Sequence, residues 1–266
     1  LGKLAGKPVC ELLGTVRRPY IPVYLSSLRR DTTPEAEVAW LSERVQETGA
    51  RAIKIKVGGR MSKNADAFPG RTDRLIPLAR ETFGNDFTIY VDANGSYDAA
   101  GAIEVGRLLE AHEIAFFEEP CPFEELEMTR RVTSALTIPV AGGEQDASLP
   151  RFDWMIDNRV VDIVQPDLAY NGGFIRTLRV ARMAEQAGIP ITPHSPSVGA
   201  HAVYVLHFAA VVPNAGPFHE FRGEAHPMAD WYAPPFLVRD GAIQVPTKPG
   251  WGIEYDPGIW RKVDII

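Results

Sequence analysis

The sequence predicts an α/β protein, a single parallel (β/α)7β TIM-like barrel, and three observations carry that expectation. Short apolar or β-branched runs alternate with longer stretches of helical period, as repeated βα units around a parallel sheet require. Eight such runs end at Ser26, Val57, Asp92, Glu118, Glu144, Asp167, His194 and Glu220. From Asp92 onward the ends recur at a nearly constant interval that suits one strand plus one helix, and 266 residues suit one barrel of roughly 250 residues.

The elements follow in order. The run IPVYLSS leads to a helix from Pro34 to Gly49, with Thr32 or Thr33 as N-cap, proline in the first turn and glycine at the stop. After RAIKIKV comes a helix over Arg71 to Phe83, and after FTIYVD one over Ala99 to Ala111. IAFFE, IPVAGGE and VDIVQPD supply the next three strands, followed by helical period over Gly172 to Gly188, the run IPITPH, a helix over Gly199 to Val211, and PFHE. No eighth helix is evident after Glu220, only a Pro- and Gly-rich tail with a short hairpin expected around Phe236 to Val245.

Composition excludes several classes. The net charge of −6 contains no basic block interleaved with aromatics, so no nucleic-acid footprint is present. Cys10 and Cys121 lie far apart without a CxxC pair, which argues for neither a zinc site nor a disulfide framework and fits a reducing cytoplasm. No apolar run approaches the roughly 18 residues of a membrane span, and no secretion grammar opens the chain. The phosphate-loop frame, the dinucleotide G-x-G-x-x-G and the G-x-S-x-G elbow are missing from the sequence.

If the barrel closes, all strand ends meet on one face, where barrel enzymes place their chemistry. Asp92, Glu118 and Glu144 would then converge, and three anions that close repel unless a cation holds them. An oxygen-only donor set favours a hard ion, namely Mg²⁺. Any one carboxylate alone reads equally as a helix cap or a surface charge; the matched spacing of three carries the metal reading. Glu119, next along, should point to the other side of its strand or into the loop, and act as a salt-bridge partner and not a ligand.

Lys54 and Lys56 alternate with Ile53, Ile55 and Val57, so both lysines share the interior face. A neighbouring lysine and a nearby cation disfavour the ammonium form, which makes Lys56 a candidate general base. Asp167 and His194 end consecutive strands across from them; a carboxylate on one imidazole nitrogen fixes the tautomer and frees the other for proton exchange. His201, His207 and His219 lack such a partner and read as packing or surface residues. Glu220 could stay protonated and donate to an oxyanion, with a simple salt bridge as the alternative.

This constellation resembles the mandelate racemase group of the enolase superfamily, over nearly the whole chain from about Arg18. The family's K-x-K motif is matched by Lys54-Ile55-Lys56, its metal motifs by Val91-Asp92-Ala93-Asn94, Glu118-Glu119-Pro120 and Gly143-Glu144-Gln145, and its dyad by Asp167 and His194. The resemblance implies that Asp92, Glu118 and Glu144 ligate one Mg²⁺ per active site. It further implies that Asn94 supports substrate binding, Lys54 holds the substrate carboxylate and Glu220 hydrogen-bonds the intermediate. Family members carry an N-terminal α+β capping domain, expected to be largely absent here: residues 1–18 would be its trailing segment, with a helix around Leu4 to Leu13. The barrel would occupy residues 19–223, and the tail 224–266, including Pro249-Gly250-Trp251-Gly252, would return toward the cap.

The activity implied is abstraction of the α-proton of a small carboxylate by Lys56 or His194, giving an enediolate stabilised by the metal, Lys54 and Glu220. The favoured outcome is dehydration of a sugar acid, with racemisation or epimerisation of a 2-hydroxy acid as the alternative. Cycloisomerases and dipeptide epimerases, which place a lysine near the position of His194, are set aside. A non-catalytic ligand- or partner-binding barrel is the reading from another class. A homo-oligomer without nucleic-acid or membrane partners is expected.

Overall fold

A computed structural model of the chain describes residues 1–195, 199–222 and 231–258. Strands β1 (Tyr20–Ser26), β2 (Ala52–Lys56), β3 (Thr88–Asp92), β4 (Phe116–Glu118), β5 (Val140–Gly142), β6 (Ile163–Val164) and β7 (His219–Arg222) form the parallel sheet. They lie in the order β6-β5-β4-β3-β2-β1-β7. The gap between β6 and β7 is filled by parallel bridges from Val164 to Ile191 and from Ile191 to Ala215, so the predicted barrel closes. The seventh strand position is thus one bridged residue rather than the full strand expected to end at His194. Pro190 and Pro193 flank it without N–H donors, and proline cannot extend a ladder.

Helices α3 (Pro34–Thr48), α4 (Arg71–Phe83), α5 (Ala99–Ala111), α6 (Leu126–Ala135), α7 (Leu149–Asp157), α8 (Phe174–Gln186) and α9 (Ala202–Val211) follow the strands. The cap of α3 is Thr33, whose hydroxyl accepts from the Ala36 N–H at 3.2 Å, and Gly49 stops it in the left-handed region. Helices α6 and α7 were not delimited from sequence. The helix expected over Leu4 to Leu13 is instead two short pieces, α1 (Gly2–Ala5) and α2 (Val9–Leu13), interrupted by left-handed Gly6 and by Pro8.

The short hairpin expected around Phe236 to Val245 is present as one antiparallel bridge, and its second strand joins the barrel. Its strand β9 (Ala242–Gln244) pairs antiparallel with the start of β1, at the end of the barrel opposite the mouth. Only an Arg239–Ala242 bridge closes the turn upon itself. Strand β8 (Tyr232–Ala233) pairs with β10 (Glu254–Tyr255), and Gly250 bonds Lys7 and Val9 of the N-terminal segment. His207 joins the two ends, accepting from the Cys10 N–H at 3.2 Å and facing the Trp251 carbonyl at 3.1 Å.

Alternation along the strands divides the core. Ile53, Ile55, Ile89, Val91 and Phe117 face outward into the large apolar cluster under the helices. Tyr24, Ala52, Tyr90, Phe116 and Ala141 face inward and plug the barrel floor. Tyr90 stacks on Phe116 with centroids 3.9 Å apart, and Tyr24 meets Tyr90 edge-on. One step up β2, β3 and β4, the same inward face carries charge.

Candidate active site

The register sets the mouth. Lys56 pairs with Asp92, and Asp92 with Glu118, so three charged groups stand side by side one layer above Tyr90 and Phe116. Glu144, Asp167 and His194 lie beyond the last bonded residues of their strands, where the chain bends over the opening. Both lysines are buried inside, at 1% and 4% exposure, as their alternation predicted.

Asp92, Glu118 and Glu144 are all buried and each offers an oxygen within 4.8 Å of the others. Burial and the neighbouring carboxylates Asp92, Glu144 and Glu220 push the Glu118 carboxyl up to about 8, against the pull of Lys54. Such crowding is what a divalent cation would relieve, and the all-oxygen set fits Mg²⁺. Asp92 is also buried, yet Lys56 and Lys54 outweigh burial and hold it below the ordinary carboxylate range.

Lys54 donates to both Glu118 oxygens at 2.6 and 2.9 Å and lies 3.0 Å from Glu220. Burial opposes its charge, but Glu118 and Glu220 win and hold its pKa well above the usual lysine value. Lys56 bonds Asp92 and, at 3.0 Å, the side-chain oxygen of Asn94. Asn94 sits in the left-handed region with φ 42°, donates its N–H to Asp92 at 2.7 Å and receives Arg30 at 2.8 Å on the oxygen that takes Lys56.

On the far flank, Asp167 Oδ2 meets His194 Nδ1 at 2.9 Å. The N–H groups of Ala169 and Tyr170 fix the other Asp167 oxygen. His194 Nε2 is thereby turned to the triad, 3.4 Å from Glu144. Burial disfavours the imidazolium, but Asp167, Glu144 and Glu220 raise its pKa to about 9. A cavity of about 190 Å³ opens beside it, lined by Asp167, Tyr170, His194, His201 and Tyr204 among others.

One expectation is corrected, and of two alternatives the geometry favours one. Glu119 forms no ion pair among the described residues; it is buried and accepts from the Asn94 amide at 3.3 Å. Its φ of 41° turns it off the strand, a conformation alternation cannot anticipate. Glu220 takes the ion-pair alternative: burial would raise its pKa, but Lys54, His194 and Lys56, with the Ser195 N–H at 2.8 Å, hold it at about 2. As placed, it accepts from the Ser195 N–H and lies 3.0 Å from Lys54.

Sequence reasoning missed Gln165, which donates to Glu118 at 2.9 Å. Its parity with inward Asp167 on the same run was the available signal. Arg30 was missed because it lies in a loop without period.

A closed parallel barrel with a buried carboxylate triad at its mouth, between an amine and an imidazole, is the architecture and site of an enzyme. The chain belongs to the enolase C-terminal domain-like family, whose profile matches residues 36–259. It is 31% identical to an arabinonate dehydratase of Saccharolobus solfataricus, over 98% of this chain and 68% of that protein. A D-galactarolactone cycloisomerase of Agrobacterium fabrum is also 31% identical, over 95% and 68%, so cycloisomerisation, set aside on sequence, returns among the relatives' reactions. The structure superposes on a Roseobacter denitrificans protein assigned as a racemase with TM-score 0.95, 42% identity, and 99% and 73% coverage. A Streptomyces coelicolor racemase with bound magnesium matches at TM-score 0.86, 26% identity, and 99% and 68% coverage. Among the described residues no helix is long and apolar enough to cross a membrane.

Proposed function

We propose that this enzyme removes the α-proton of a sugar acid and expels the β-hydroxyl, a dehydration giving a keto acid. The observation that carries the reading is the triad of Asp92, Glu118 and Glu144 within 4.8 Å, flanked by Lys56 and by His194. Asp92, Glu118 and Glu144 would hold one Mg²⁺, which when bound supplies positive charge where the enediolate oxygens develop theirs.

The chain's own groups divide the work. Lys56, held by Asp92 and Asn94, lies on one flank and takes the α-proton once unprotonated. His194, oriented by Asp167, lies on the other and delivers a proton to the leaving β-oxygen, which departs as water. The resulting enol then tautomerises to the 2-keto acid. Lys54 places a fixed ammonium beside the developing oxyanion, with Glu220 holding it. The preference for dehydration rests on relatives named as dehydratases, arabinonate and L-talarate/galactarate dehydratase among them.

A second reading is favoured by the 42% identical protein assigned as a racemase. Acid/base groups on both flanks allow one to remove the α-proton and the other to return it on the opposite face. Screening aldonates and aldarates with Mg²⁺ for keto-acid formation, and for α-deuterium uptake in D₂O, separates these outcomes. Exchange should vanish in the Lys56→Ala, His194→Ala double variant. Undiminished exchange there would end the reading.

A further inference from the structure

Two adjacent arginines behave oppositely. Arg29 lies 3.8 Å from Glu37 and over the Trp40 ring, so its charge is answered within the fold. Arg30 turns to the mouth, where Nη2 donates to Asn94 Oδ1 at 2.8 Å. Among the described residues neither Arg30 nor Arg60 has a carboxylate within 4.0 Å in an ion pair. The Arg30 Nε is buried with no hydrogen-bond partner, an arrangement that costs stability unless something else uses it.

The loop bearing Arg30 is tied to the end of β2. Arg71, 1% exposed, donates to the carbonyls of Arg29 and Thr32 on that loop and to the carbonyl of Lys56 at the end of β2. The guanidinium of Arg30 is therefore held at a fixed place beside Lys56, because both bond the same Asn94 oxygen. Arg60 lines a neighbouring cavity of about 90 Å³ with Asn94, Glu119 and Gln145, which Arg30 meets through its bond to Asn94. Glu119, the acid there, is turned to the Asn94 amide, and Gln145 touches Glu144 of the triad at 2.9 Å.

We infer that Arg30, with Arg60, is a specificity determinant that receives a second anionic group of the substrate, so that aldarates are preferred to aldonates. The inference rests on the proposed sugar-acid chemistry, in which the first carboxylate would be received at the Mg²⁺ held by the triad. A guanidinium answered only by the charge of Asp92 beyond ion-pair distance, and fixed next to the amine that meets the α-carbon, suits an anion further along the same carbon chain. Charge-assisted, geometrically fixed pairing of this kind discriminates strongly against a neutral terminus.

The test compares wild type, Arg30→Gln and Arg30→Lys on an aldarate and on the aldonate of the same configuration. The ratio of their kcat/KM values should favour the aldarate, fall at least about tenfold in Arg30→Gln, and be partly kept in Arg30→Lys. A parallel fall on both substrates would show that Arg30 only supports Asn94 and Lys56, and would overturn the inference. So would an unchanged ratio. Calorimetric binding of adipate against hexanoate to the Mg²⁺-loaded protein reads the same site without turnover. Dianion preference lost in Arg30→Gln, with no α-proton exchange from any sugar acid, would uphold the anion site and sink the sugar-acid reading. Exchange without any dianion preference would do the reverse.

Discussion

The floor and the mouth of the barrel are built by the same strands, two residues apart, and have opposite chemistry. On β3 and β4 the inward positions change from Tyr90 and Phe116 to Asp92 and Glu118, and on β2 from Ala52 to Lys54 and then Lys56. The floor is dry and aromatic, with rings stacked at 3.9 Å. The mouth concentrates buried charges whose pKa values are driven apart, Glu118 up to about 8 and Glu220 down to about 2. A packed floor thus fixes the strand ends while the charged layer above holds groups that water would otherwise solvate. Stability and chemistry should therefore respond to different substitutions.

Glu118→Gln probes the mouth most severely. It keeps the shape but removes a triad anion, so Mg²⁺-dependent turnover should fall by about a thousandfold or more, the order of losing a main electrostatic stabiliser. Far-UV circular dichroism should show the folded barrel retained, and EDTA should reproduce the loss in wild type. Turnover that survives both treatments would dissolve the distinction between the layers.

Phe116→Ala probes the floor. It should cost about 3–5 kcal/mol in a denaturant melt, while the protein still folded keeps its Mg²⁺ affinity by calorimetry. If affinity falls in step with stability, floor and mouth are one unit.

The smallest effect concerns His219, beside Glu220 on β7 but on the outer face of the strand. Burial, with a lesser effect of Arg18, lowers its pKa from 6.5 to about 3. The native state therefore keeps it neutral while the unfolded chain protonates it, so stability is lost as pH falls below about 6.5 and until about 3. The slope from this residue should be at most about 1.4 kcal/mol per pH unit. His219→Leu should flatten it in melts between pH 6.5 and 4; an identical slope would assign acid sensitivity to the mouth instead.

Much of this division was legible before any coordinates. Residue parity placed Lys54 and Lys56 inside, the interval of strand ends grouped Asp92, Glu118 and Glu144, and consecutive ends joined Asp167 to His194. Local sequence failed where backbone departs from ideal geometry. Glu119 was expected in an ion pair because alternation assumes an extended chain, but its positive φ swings it to Asn94. The seventh strand shrank to Ile191 because two prolines flank it. Gln165 was visible by parity and overlooked, whereas Arg30 carried no pattern.

By itself the sequence determined the closed α/β architecture, the family and the chemical identity of the layer at the mouth, because strand alternation and repeat length are local and periodic. Only the tertiary structure decided which charges meet: that Glu220 lies 3.0 Å from Lys54, that His194 turns its free nitrogen to Glu144, and that Arg30 shares an oxygen with Lys56. Those choices depend on distances between segments remote in the chain, and electrostatic energy depends on distance and burial, which no local pattern encodes.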